Sequence, residues 1–188
     1  MTDISSPALL QDATELLTSQ GFKLTGKWYH GTASGLLESI LETGLRGTGD
    51  ISGLQKHMET LGTIGHQASN HHDPLFVTQS KELAYFWALQ KADQRNLYFR
   101  QNETPVVLEL SLPEDLNKKV TTDAGGAALV LEPNNFYIAW LKDLYKQLDI
   151  PFPELNPFEC DRMDYLNKLG LAYIDAEIPA QYLREVKV

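Results

Sequence analysis

Apolar residues along the chain recur at two spacings, and their alternation predicts a mixed α+β order. Ala8, Leu9, Leu10, Ala13, Leu16 and Leu17 follow Ser6-Pro7 and precede Gly21. That pattern predicts an amphipathic N-terminal helix within residues 1–21, with proline in its first turn. Phe22, Leu24, Trp28 and Tyr29 predict a first strand, interrupted by Gly26. Leu36, Leu37, Ile40 and Leu41 share one face of a helix over 34–43, closed by Gly44. From 47 to 73 the periodicity fades among Gly47, Gly49, Gly53, Gly62 and Gly65. A long loop with a short helix near 54–61 is expected there, and long loops in compact domains are often functional.

Leu75-Phe76-Val77-Thr78 reads as a short buried strand. Ser80 then caps a helix from 81 to about 94 whose apolar content is Leu83, Ala84, Phe86, Trp87 and Leu89. Residues 105–112 alternate apolar and polar after Val106-Val107 and predict a strand, and 127–131 predicts a further one. A helix is expected over 136–148, a rigid connector at Pro151, Pro153 and Pro157, and a short helix over 161–169. Leu171 to Ile174 and a segment near 184–188 complete the strands. No repeat interrupts this order.

Length and composition narrow the class. The 188 residues suit one domain spanning 1–188, and 43% apolar content supplies a sizeable core. A net charge of -9 excludes a broad basic surface for a phosphate backbone. The single cysteine, Cys160, allows no internal disulfide and suits a reducing compartment. The opening residues lack a basic n-region and an uninterrupted apolar run, and no stretch is long and apolar enough to span a bilayer. A cytoplasmic protein with no membrane partner is expected; a protein delivered without a classical signal would read alike.

The segment Trp28-Tyr29-His30-Gly31-Thr32 carries the first chemical signal. An apolar strand end delivers His30 and Thr32 as polar side chains, while Gly31 lets a ligand approach the backbone. Ile40-Leu41-Glu42-Thr43-Gly44-Leu45 then ends the following helix. Together these resemble the opening motif of the ADP-ribosyltransferase superfamily, which includes the poly(ADP-ribose) polymerases and the RNA 2′-phosphotransferases. Residues 75–88 (LFVTQSKELAYFWA) are similar to that family's second element, and residues 173–188 (YIDAEIPAQYLREVKV) to its last strand pair. The three segments span nearly the whole chain in the expected order.

The resemblance implies a single-domain α+β fold of split antiparallel β-sheets flanked by helices, with NAD as substrate. It implies that His30 orients the adenosine ribose, that the Gly31 backbone holds the carboxamide, and that Thr32, Arg46 and Thr78 lie at the cofactor site. Phe76 takes the place usually held by tyrosine, and Trp87, or else Phe86, would stack on nicotinamide. The activity implied is transfer of ADP-ribose from NAD to a protein or nucleic-acid acceptor, with residues 47–73 as the place of acceptor recognition. By analogy, the small size suits a bacterial toxin or effector with a cognate antitoxin or immunity protein.

One departure bears on mechanism. Many transferases of the family carry a glutamate near the start of the last strand pair, where it supports the oxocarbenium-like transition state. The matching stretch here, Leu169-Gly170-Leu171-Ala172, has none. Glu132 and Glu177 are the candidate replacements, with Asp164 and Asp175 nearby. The same departure suits a non-catalytic module of this fold that binds NAD or ADP-ribose. A third reading, an RNA 2′-phosphotransferase-like enzyme, needs cations, of which Arg46, Lys81 and Arg95 are nearest the motifs. His66, His71, His72 and Asp73 form a polar cluster with no regular frame to set metal geometry, and no metal site is expected. Gly125-Gly126 lacks the partners of a phosphate cradle and reads as a turn before a strand. Cys160, between Glu159 and Asp161, is not poised as a nucleophile.

Overall fold

A computed structural model describes residues 5–47, 74–156 and 161–187. The predicted helix near 54–61, the histidine cluster at 66–73 and Cys160 lie outside them. Six strands form one antiparallel sheet. They are β3 (Trp28–Ala33), β4 (Leu75–Thr78), β5 (Pro105–Leu110), β6 (Val120–Thr122), β7 (Leu171–Ile174) and β8 (Leu183–Glu185). Their order across the sheet is β6-β7-β4-β3-β5-β8. A separate two-stranded hairpin joins β1 (Leu17–Thr18) to β2 (Gly21–Phe22).

The six strands divide into two halves. Every residue of β3 from Trp28 to Ala33 pairs with β5, and every residue of β4 from Leu75 to Thr78 pairs with β7. Between β3 and β4 the ladder is a single pair, Tyr29 with Thr78. The mixed α+β class, with antiparallel sheets and helices, therefore agrees with the sequence.

Helices cover both faces. α2 (Ser34–Thr43) packs Leu37 and Ile40 against a core of Trp28, Leu75, Val77, Leu108, Leu110, Ile174 and Ile178. Gly44 ends it at φ 91°, a conformation that favours glycine, and Leu45 then bridges to Ile178. α3 (Lys81–Phe99) lies across the opposite face, where Ala84 joins Tyr29, Val107 and Leu10. A second core gathers where α3 meets α6 (Phe136–Gln147) and α7 (Arg162–Leu169), around Phe86, Tyr137, Leu141, Tyr145 and Leu169. The Tyr137 hydroxyl, fully buried there, donates to the Leu169 carbonyl. Tyr137→Phe leaves that carbonyl unpaired, so urea unfolding should read a loss of about 1–2 kcal/mol.

Several expected elements differ. The N-terminal helix is broken into a 3-10 turn at Ala8–Leu10 and α1 (Ala13–Leu16), because the Asp12 carboxylate bonds the start of α3 rather than its own helix. The first strand starts at Trp28, after Gly26, and runs on to Ala33, so His30-Gly31-Thr32 lies within the strand rather than at its end. The strand expected at 127–131 is instead α5 (Ala124–Ala128) followed by a 3-10 turn at Leu129–Leu131. Gly125 and Gly126 open α5, with the Asp123 carboxylate close against them. α4 (Glu114–Asn117) and β6 were not expected at all. The closing strand lies at Leu183–Glu185, short of the expected end.

Candidate functional site

Strand geometry sends alternate side chains of β3 to opposite faces. Trp28, His30 and Thr32 share the face that carries Val106, Leu108 and Leu110 of β5. Tyr29, Gly31 and Ala33 face α3. The strand's chemistry is thus sorted: imidazole and hydroxyl on one side, small or aromatic packing groups on the other.

His30 occupies the place where β3 and β4 part. Its Nδ1 lies 2.8 Å from the Phe76 carbonyl oxygen. A carbonyl oxygen only accepts, so Nδ1 carries the proton and donates it. This bond replaces a rung of the missing ladder and satisfies a backbone acceptor left by the split. Burial holds the imidazole below its ordinary range, opposed by the Phe76 hydrogen bond and assisted by the Lys91 ammonium. At neutral pH the ring is therefore uncharged, with its lone pair on Nε2. Among the described residues, the charge acting on it is that of Lys91.

At Gly31 the fold itself requires glycine. A Cβ built there meets the Ala84 carbonyl oxygen and, at 2.6 Å, the Ala88 nitrogen. The glycine admits the backbone of α3, not a ligand, on its side-chain face. Thr32 is buried on the His30 face. Thr78 is buried as well, and its hydroxyl donates to the Ser80 carbonyl at 2.8 Å, an internal turn contact rather than an open ligand group.

The remaining candidates lie in separate places. Phe76 is 54% exposed on β4, on the face away from Leu75 and Val77 and opposite Tyr173 of β7. It meets His30 through its carbonyl rather than its ring. Phe86 is 1% exposed, with Trp87, Tyr137 and Trp140 rings 4.9–5.2 Å away, so it offers no face for nicotinamide. Trp87 is partly exposed but lies in the same cluster, 5.0 Å from Tyr137, and its buried Nε1 has no partner among the described residues. Arg46 and Glu177 form an exposed pair at 3.6 Å beside the Leu45–Ile178 bridge. Glu132 is exposed and accepts from Asn135 Nδ2 at 2.7 Å, near the start of α6. No hydrogen bond or ion pair among the described residues links Arg46, Glu132 or Glu177 to His30.

Leu169, in the stretch where the family resemblance would put a carboxylate, is 1% exposed in the α3–α6–α7 core. A charge at Leu169 would be buried without a partner, so leucine suits the packing there. Arg95 is likewise engaged, bonding Glu103 through Nε at 2.7 Å and Nη2 at 2.9 Å. Glu103 also accepts from Gly35 N at 3.3 Å, which places a carboxylate on the start of α2.

Lys91 escaped the sequence reading. Its signal was there: residues 84, 88 and 91 fall on one helical face, and Ala84 and Ala88 are the residues laid across Gly31. Among the described residues, no helix is long and apolar enough to cross a membrane, and no cluster of three or more His, Cys, Asp or Glu could hold a metal. Compared with protein-family models, with curated proteins and with solved structures, the chain matches none.

Proposed function

We propose that this protein binds NAD at the split beside His30 and transfers its ADP-ribose unit to a protein or nucleic-acid acceptor. The observation that carries the reading is the uncharged imidazole placed where the β3–β4 ladder narrows to one pair, with Nδ1 committed to the Phe76 carbonyl and Nε2 carrying the lone pair. The sequence resemblance supplies the ligand. In the reaction, the nicotinamide–ribose bond breaks, nicotinamide leaves neutral with the bonding electrons, and the acceptor nucleophile bonds the ribose carbon and sheds its proton. His30 would hold the adenosine ribose, so the chain contributes orientation more than proton transfer.

A second reading, a module that holds NAD or ADP-ribose without turnover, is favoured by the lack of a carboxylate in the stretch Leu169-Gly170-Leu171-Ala172. The RNA 2′-phosphotransferase reading gains less, because Arg46 and Arg95 are both paired to carboxylates.

The test is nicotinamide released from NAD by purified protein. Release is expected from the wild type and from a Glu132→Gln/Glu177→Gln double variant, since both carboxylates are engaged away from His30. Loss of release in the double variant would instead assign the missing carboxylate to one of them. NAD-dependent thermal stabilisation without release would select the binding module, and neither effect would end both readings.

A further inference from the structure

Asp12 is the N-cap residue of α1, yet its carboxylate makes no cap bond to that helix. It reaches α3, accepting from Ser80 Oγ at 2.5 Å, Lys81 N at 2.9 Å and Glu82 N at 3.3 Å. Glu82, in the first turn of α3, returns the exchange. Its Oε2 accepts from Ala13 N at 3.4 Å and its Oε1 from Ser6 Oγ at 2.7 Å. Each helix start is served by a carboxylate from the other. Lys81 Nζ adds a donation to the Leu9 carbonyl at 2.9 Å. Leu10, Ala13 and Leu17 are buried along the same segment, so the carboxylate exchange sits on an apolar anchor.

Both carboxylates are buried, Asp12 at 8% and Glu82 at 9% exposure. A carboxylate taken out of water disfavours its own charged form, and the more so beside a second acid, as Glu82 is. Burial pushes the Glu82 carboxyl up; the Ser6 hydroxyl and the Ala13 amide pull it down, and Asp12 adds a smaller upward push. Lys81 borders the patch from α3. From the sheet, Tyr29 of β3 feels Asp12 together with Glu109 of β5 and Arg184 of β8. A protonated Glu82 still offers a carbonyl oxygen to Ala13 and can turn its proton to Ser6 Oγ. The raised acid therefore stabilises the clasp below its unfolded value and loses that contribution as pH rises through the folded one.

We propose that residues 6–17 form a pH-sensitive strap across the start of α3, closed by the Asp12–Glu82 exchange and loosened as Glu82 gives up its proton. The strap matters to the site because the next turn of α3 rests on Gly31, one residue from His30. Local opening of the segment removes the Asp12 bonds to the start of α3 and leaves only the Ser80 cap there. The inference concerns the free protein and stands whether or not NAD is the ligand.

Hydrogen exchange on the full chain tests it, read at the Ala13, Lys81 and Glu82 amides between about pH 5 and about pH 8 and corrected for intrinsic base catalysis. Wild-type protection at these amides should fall as pH rises, while amides within α6 stay protected. Glu82→Gln should abolish the pH dependence. Ser6→Ala removes a donor that favours the charged carboxylate, so it should move the loss of protection to higher pH. An unchanged slope in Glu82→Gln, or parallel loss in α6, would overturn the strap. Should Glu82→Gln fail to fold, an unshifted midpoint in Ser6→Ala would overturn it alone.

Discussion

Gly31→Ala should destabilise the fold by about 3 kcal/mol, at the upper end of overpacking effects, read as a lower urea midpoint at unchanged slope. The atoms that obstruct the new methyl are the Ala84 carbonyl oxygen and the Ala88 amide nitrogen, both backbone. A rotamer change cannot relieve them, and neither can trimming Ala84 or Ala88. Either α3 rises off β3 or the strand bends. Lifting α3 costs more than local contacts, because Ala84 and Phe86 tie the helix into separate cores at the crossing. A midpoint within error of the wild type would mean that α3 does not lie this close, and Gly31 would return to the ligand-facing role its motif suggests. The substitution should also weaken any ligand held by His30, since Lys91 lies further along α3 and acts on the imidazole.

What the sequence made legible follows how local each signal was. α7 was readable because its start and stop are written in adjacent residues: Asp161 and Asp164 form a capping box, and Gly170 closes the helix in a left-handed turn. β4, β5 and β7 announced themselves by short apolar runs. The N-terminal helix looked equally sound but breaks because Asp12 bonds residues 68–70 positions away. Leu129-Val130-Leu131 read as a strand because apolar runs do not reveal their period at that length. β6, Val-Thr-Thr, is a strand only because β7 lies beside it.

The site divides in the same way. His30-Gly31-Thr32 stood out as chemically unusual, and it does mark the split. Why it marks the split was not readable, since the imidazole's partner is a backbone carbonyl 46 residues away. The reason for the glycine belongs to a helix crossing that no local pattern specifies. Aromatic residues in the second motif were plausible ligand walls, yet helical phase sends Phe86 and Trp87 toward α6 instead. Their apolar surface contributes to the core whichever ligand the split takes.

On the proposed reading, His30 gives the largest functional effect, and two substitutions separate its two nitrogens. Asparagine places an amide N–H near Nδ1, so His30→Asn keeps the donation to Phe76 while deleting the Nε2 acceptor. Glutamine reaches toward the Nε2 position with a carbonyl oxygen but gives up the Nδ1 donor. If Nε2 receives a ribose hydroxyl, His30→Asn should lose about tenfold or more in NAD affinity with an unchanged urea midpoint. His30→Gln should lose stability and retain part of the affinity. The same tautomer demands a donor from the ligand, so NADP, whose 2′-phosphate only accepts at neutral pH, should bind about tenfold more weakly than NAD. Because burial holds the imidazole below its ordinary range, affinity should be flat above about pH 6.5 and fall only as the pH drops through the depressed value. Protonation there converts the acceptor into a second donor, whereas folding stability falls earlier, from about pH 6.5 down to the depressed value, because the unfolded chain takes up the proton first. Isothermal titration with NAD and NADP across that range reads the affinities, and urea unfolding reads the stabilities. Equal binding of the two dinucleotides, or NAD affinity indifferent to His30→Asn, would reduce His30 to a staple between half-sheets.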